Sequence, residues 1–309
     1  GCDAMTTPAV WPPRPSDAHK GTFGTVLVVG GSPSPRTMLG GPAFAALGAL
    51  RSGCGLCELA MPSPLLVAGL SLVPSATGVP LPVDATGSID AAAAIEVLQP
   101  AIDRATVLAL GPGLGRGAEA ARFVAAALGC AANRRLPVVL DADGLNAYAE
   151  VGGGKAFVSP TILTPHPGEF RRLAAACGLA ELDPADPALR PEAACRLSKT
   201  LQAVVVLKGH GTCVAMHERF EIERCGTPAL ATGGSGDVLT GAVAGLWAQW
   251  IAASIGGAPL DAAFESARSA VRMPGVAAEL WAREHGDAGM LAGDLAAALP
   301  DARRTLSAC

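Results

Sequence analysis

Residues 25–31 read Thr-Val-Leu-Val-Val-Gly-Gly, an unbroken apolar run that stops at a pair of glycines. A strand with one wet face alternates polar and apolar residues. A strand that is apolar throughout is covered on both faces, as in a parallel sheet flanked by helices. Four further runs repeat the pattern: TVLALG at 106–111, PVVLDAD at 137–143, ILTP at 162–165 and AVVVLKG at 203–209. Ala-rich helical stretches lie between them, including 41–52, 117–129, 167–177 and 189–201. Residues 212–223 pattern as an antiparallel hairpin, and two long helices, from about Gly236 and over 260–284, follow. This alternation predicts an α/β fold of three layers, with a mostly parallel central sheet between helices. No linker, charge block or repeat divides residues 19–309, which are expected to be one domain. Residues 1–18 are expected to be an extension, with Gly1 to Ala4 a remnant ahead of a natural start at Met5.

Half of the 309 residues are hydrophobic but only 4% are aromatic, so the interior must be built from Ala, Val and Leu. Charged residues make up 16%, against about a quarter in an ordinary globular domain. So little charged surface suits a homo-oligomer. Net charge is −4 with no basic run, which argues against nucleic acid as a partner. The N-terminus lacks the basic start and apolar run of a leader. Val238–Leu260 carries no charge and is long enough to span a bilayer. It is rich in Ala and Gly and contains Gln249 and Ser254, so it reads as a helix buried against a sheet rather than a membrane segment. The nine cysteines are scattered. Cys54 and Cys57 form a CxxC inside GCGLCELAM, a buried strand entry with no second pair or histidines for zinc. Reduced thiols in a cytoplasm are the expectation.

In open α/β sheets, ligands bind beyond the carboxyl ends of the strands. The unusual residues fall there: Gly30-Gly31, Gly111-Pro112-Gly113, Asp141, His166 and Lys208-Gly209. The sharpest motif is Thr232-Gly233-Gly234-Ser235-Gly236-Asp237, followed by an uncharged helix. Glycines ahead of a helix let backbone N–H groups point at one locus, where the helix dipole adds positive potential. Such a locus suits a phosphate gaining charge during transfer. An Asp there can accept a proton from a substrate hydroxyl. The same residues also fit a glycine turn whose Asp merely caps the helix; six matching residues late in an α/β chain favour the catalytic reading. Lys208 fits either a nucleotide phosphate partner or a strand-end cap.

Further blocks accompany this motif: His19-Lys20-Gly21 with Gly24, Gly30-Gly31-Ser32, Ala49-Leu50-Arg51-Ser52-Gly53 and Gly111-Pro112-Gly113-Leu114. Leu140 to Asn146 (LDADGLN), Thr164 to Phe170 (TPHPGEF) and Leu207-Lys208-Gly209 continue the series. Together, over residues 19–241, they resemble the ribokinase-like superfamily and, within it, the ADP/ATP-dependent NAD(P)H-hydrate dehydratases. The TPHPGEF block is the most specific, since sugar kinases of the superfamily lack it. The resemblance implies a ribokinase-like α/β/α fold without the epimerase domain to which some relatives are fused. It implies Asp237 as the catalytic residue, with Gly234, Ser235 and Gly236 as its anion hole. It implies substrate contacts at Gly41, Gly113, His166 and Asp237, and a nucleotide held by Lys208, Gly209, His210, Gly211, Thr212 and Gly236. The implied co-substrate is ADP or ATP with its Mg2+, with no metal held by the protein alone. The implied substrates are hydrated NADH and NADPH (NADHX and NADPHX). ADP or ATP phosphorylates the C6 hydroxyl, and phosphate then leaves to restore the reduced nicotinamide. A homo-oligomer, tetramers included, and a separate epimerase complete the implied setting.

Three stretches depart from the family pattern. Gly40-Gly41-Pro42 stands where Gly-Ala-Ala is usual, Arg224-Cys225-Gly226-Thr227-Pro228 replaces a TGN segment, and Met273-Pro274-Gly275 replaces Leu-His-Gly. The nearest rival is a kinase of the same superfamily acting on a vitamin-precursor or sugar hydroxyl. A dinucleotide-dependent oxidoreductase fits less well, because VLVVGGSPS lacks GxGxxG. A non-catalytic nucleotide sensor is the third reading.

Overall fold

A computed structural model describes residues 8–308, Leu182 excepted. The strands are β1 Thr25–Val29, β2 Leu56–Pro62, β3 Thr77–Leu81, β4 Val107–Leu110, β5 Val138–Leu140, β6 Thr161–Leu163, β7 Val204–Leu207, β8 Thr212–Met216 and β9 Arg219–Glu223. The helices are α1 Gly40–Ser52, α2 Ser63–Leu72, α3 Ala91–Arg104, α4 Ala118–Arg134, α5 Asp143–Glu150, α6 Pro167–Ala176, α7 Arg190–Leu201, α8 Ser235–Ala252, α9 Pro259–His285 and α10 Ala292–Ser307. One sheet runs β3-β2-β1-β4-β5-β6-β7-β8-β9. It is parallel as far as β7 and antiparallel through β8 and β9. The predicted mostly parallel three-layer fold and the 212–223 hairpin are both present.

Both faces of the central strands are dry, which is why the runs show no polar alternation. On β1, Leu27 and Val29 join the core under α3 to α7, while Val26 and Val28 join the core under α1, α8 and α9. A third cluster lies between α8, α9 and α10. The sequence gives no strong signal for β3, which carries Gly78 and Pro80; it lies at the sheet edge, where proline is tolerated. Residues 8–14, within the expected extension, lie against the helical layer. Val10 donates its N–H to Ser269 Oγ at 3.1 Å, Trp11 packs on the core, and Arg14 bonds the Gly53 carbonyl at 3.0 Å. The residues read as a remnant, Gly1 to Ala4, fall outside the described ones.

Helices α1 and α8 touch backbone to backbone. An added Cβ on Gly241 would stand 1.9 Å from the Ala45 carbonyl oxygen, and one on Gly48 2.3 Å from that of Val238. On Gly245 it would meet the Ala49 oxygen at 2.5 Å, and Gln249 Nε2 donates to the Ser52 carbonyl at 3.0 Å. The partners advance together, Ala45 with Gly241 and Ala49 with Gly245, so the helices run parallel with their N-termini side by side. This close approach requires small residues and explains the Ala and Gly content of the segment that imitates a membrane span. Among the described residues, no helix is long and apolar enough to cross a membrane.

Candidate active site

Asp237 sits in the first turn of α8. Gly234 precedes that helix with φ 91°, a left-handed conformation that suits glycine, and no side chain caps the helix. Amide groups in a first helical turn have no partner within their own helix. Asp237 accepts no hydrogen bond among the described residues, so it is not the cap of its own helix. Opposite it, the Cβ position of Gly41 lies 3.3 Å from Asp237 Oδ1 and 3.4 Å from the Gly113 nitrogen. Gly41 thus faces the carboxylate. The N-termini of α1 and α8 meet here, and their dipoles add at one locus.

Beneath this locus lies a buried ionic cluster. Asp141, at the end of β5, is 1% exposed; its Oδ1 accepts from Lys208 Nζ at 2.8 Å and its Oδ2 from Thr240 Oγ1 at 2.7 Å. Glu169 Oε2 lies 3.9 Å from the same ammonium. Burial pushes the Asp237 carboxyl up to about 7, helped by Asp141 and opposed by Lys208. Burial also raises Glu169, against the pull of Lys208. For Lys208, burial acts to lower the pKa, but Asp141 and Glu169 more than offset it, so the amine titrates above its usual range. The site therefore holds a firmly charged cation beside carboxyl groups that change protonation near neutrality.

A cavity of about 710 Å³ opens beside the cluster. Lys208, Gly209, His210, Gly211 and Thr212 line it together with Ser235 and Gly236. The Cβ position of Gly236 is 3.4 Å from Lys208 Nζ, which places the helix start and the ammonium on one spot. Arg190, which drew no attention in the sequence, holds the end of β7: its Nη2 donates to the Leu207 carbonyl at 2.8 Å and the Lys208 carbonyl at 3.0 Å. His166 lines the same cavity. Its Nδ1 accepts the Gly168 N–H at 2.9 Å, so His166 caps α6. Glu169 completes the capping box by accepting the His166 N–H at 2.8 Å. Burial and the nearby Lys208 and Arg172 lower the His166 pKa, which leaves the ring neutral at neutral pH.

Sequence reasoning named Gly41, Gly113, Asp237 and the 208–212 and 234–236 segments; the structure sets Gly41 against Asp237 and Gly113, and lines the neighbouring cavity with 208–212, Ser235 and Gly236. That reasoning set Asp141 at a ligand-binding strand end without giving it a role, and passed over Glu169 and Thr240. Asp141 and Glu169 stand inside quoted blocks and read as a strand end and a helix start; Thr240 sits in an uncharged helix with no distinguishing signal. Two of the departing stretches, 224–228 and Pro274-Gly275, also line the cavity. Pro274 is fully inside α9 and does not end it. Cys54 and Cys57 are buried free thiols, with Cys54 pushed up to about 12 by burial, which suppresses the thiolate that redox or zinc chemistry needs. The expectation of reduced thiols holds for Cys54, Cys57, Cys130, Cys177, Cys195 and Cys213, but Cys225 is disulfide-bonded.

Residues 26–301 match the family model described as NAD(P)H-hydrate dehydratase. The chain belongs to the NAD(P)H-hydrate dehydratase family. It is 39% identical to a bifunctional NAD(P)H-hydrate repair enzyme of Salinibacter ruber, over 97% of this chain and 52% of that protein. It is 34% identical to one of Moorella thermoacetica, over 96% of this chain and 52% of that protein. The chain thus spans about half the length of these relatives. The ADP/ATP-dependent NAD(P)H-hydrate dehydratase of Bacillus subtilis, co-crystallised with ATP and Mg2+, superposes with a TM-score of 0.73. It is 30% identical, with 98% of this chain and 100% of that chain covered. A hydroxyethylthiazole kinase of Pyrococcus horikoshii shares the fold at 16% identity and a TM-score of 0.58, over 92% of this chain and 91% of that one. In this dehydratase family member the fold is therefore ribokinase-like.

Proposed function

We propose that residues 19–309 act as one catalytic unit that uses ADP or ATP to dehydrate hydrated NADH or NADPH. The observation that carries this reading is the placing of Asp237, which accepts no hydrogen bond among the described residues, between a nucleotide-sized cavity and the Gly41–Gly113 backbone. The nucleotide lies in the cavity along Lys208–Thr212, with its terminal phosphate over Gly234, Ser235 and Gly236. The C6 hydroxyl of the hydrate enters from the Gly41 and Gly113 side. Asp237 takes the hydroxyl proton, the oxygen bonds to the terminal phosphorus, and AMP or ADP departs. General-base help of this kind is worth about 10²–10⁴ in rate. The α8 amides and the Lys208 ammonium meet the charge that builds on the phosphoryl oxygens. The C6–O bond then breaks, phosphate carries away the electron pair, and loss of a proton from the neighbouring carbon restores the reduced nicotinamide. A hydroxyl leaves poorly and phosphate leaves well, which is the chemical reason to spend a nucleotide.

Among the described residues no group of three or more His, Cys, Asp or Glu side chains forms a metal site. Mg2+ in this reading arrives on the nucleotide phosphates and keeps much of its water. His166 caps α6 and, lining the cavity, is the proposed contact for the hydrated nicotinamide. The exposed apolar side chains Val67, Val158 and Leu291 support a homo-oligomer, and a separate epimerase and a cytoplasmic setting complete the proposal. The test is incubation with hydrated NADH plus ADP or ATP. Recovery of reduced-nicotinamide absorbance with release of free phosphate is expected. A stable phosphorylated product without free phosphate would instead make the protein a small-molecule kinase.

A further inference from the structure

We propose that Asp141 is the positioning residue of the phosphoryl-transfer site: it pins the Lys208 ammonium against the first turn of α8 and, through Thr240, ties it to the helix that carries Asp237. For its effect on rate this rests on the function proposed above; its effect on Asp237 does not.

Lysine is a point charge on a flexible four-carbon stem, so something must aim it. Asp141 uses both oxygens, at 2.8 Å to Lys208 Nζ and 2.7 Å to Thr240 Oγ1. Thr240 is fully buried and lies 3.5 Å from the equally buried Thr164 Oγ1. Thr240 lies three positions after Asp237, so both face the same side of α8. A single carboxylate thus links the ends of β5 and β7 to the helix bearing the base. The charged groups facing Asp237 are Asp141 from β5, Asp143 from α5, Glu169 from α6 and Lys208 from β7. From α1 comes only the Gly41 backbone. Asp141 raises and Lys208 lowers the proton affinity of Asp237, so removing either charge must move it in opposite directions.

The experiment is a carbon-13 NMR titration of aspartate-labelled protein, with the Asp237 signal assigned by its loss in Asp237→Asn. Asp141→Asn keeps an acceptor for Lys208 but removes the charge, and should lower the Asp237 midpoint. Lys208→Met should raise it. Thr240→Val changes no charge and should leave it unmoved. In turnover of hydrated NADH with ADP, Asp141→Asn and Thr240→Val should lower kcat about tenfold or more with KM for the hydrate unchanged. That loss is part of the roughly 10²–10³ that deleting one preorganised donor costs. If Asp141 only holds the fold together, both variants will melt earlier while kcat and the Asp237 midpoint stay at wild-type values, and the proposal is overturned. Should Asp141→Asn fail to fold, an unmoved midpoint in Lys208→Met or an undiminished kcat in Thr240→Val overturns it equally. A wild-type protein inactive on hydrated NADH would sink the functional reading, while the titration would still decide the linkage.

Discussion

In the proposed mechanism the Asp237 base is held in an uncomfortable place. Its carboxyl is pushed up to about 7 by burial and by Asp141, so the ionised base is present only from neutrality upward. Turnover should rise as pH climbs through about 7 and level off above it, and a rate already flat at pH 5 would refute the assignment. Stability follows the opposite sign. The folded pKa lies above the unfolded 3.8, so the stability tied to the protonated form is full below that value and lost as pH rises through about 7. Asp237→Asn should therefore lower turnover by about 10²–10⁴, keep ADP binding, and melt higher than wild type above neutrality but not near pH 4. Gly41→Ala tests the other side: a methyl group 3.3 Å from Asp237 Oδ1 should block the hydrate and spare ADP, as measured by isothermal titration. Most of this was legible, because glycines and an Asp ahead of an apolar helix carry a strong local signal. The buried partners were not. Asp141 and Thr240 are 99 residues apart in the chain, and no spacing in a sequence reports a contact made only when strand ends line up.

At the level of elements, the apolar runs exposed β1, β4, β5, β6 and β7, because a strand buried on both faces has no polar alternation to hide behind. Leu56–Pro62 and Thr77–Leu81 were harder to see: Glu58 interrupts the first, and Gly78 with Pro80 weakens the second. The α1–α8 pairing could be read only as composition, small residues without charge, until the structure supplied the partner. Gly241→Val should cost about 1–3 kcal/mol or more by overpacking that contact. It should also lower activity, since both helix starts form the site; thermal melting and turnover together check it, and wild-type values in both would contradict the pairing. His166→Ala removes the cap of α6 and should cost about 1 kcal/mol of stability. A calorimetric scan reads that loss directly, and an unchanged melting temperature would remove the capping role.

Across the whole molecule, the charge fraction of 16% meets a surface on which Val67 is 77% and Val158 67% exposed. Light scattering at micromolar concentration should report an assembly of identical chains, and a clean monomer would rule it out. The parallel seating of α1 on α8 has a consequence for how the chain is made. Ser52 and Gln249, which bond at its far end, stand 197 residues apart. At about 5–20 residues per second of synthesis, α1 leaves the ribosome roughly 10–40 s before the helix that must cover it. During that interval its Ala and Gly flank has nothing to pack against, and the pocket that Asp237 completes does not yet exist. Ligands that fill the pocket can therefore protect only a finished chain.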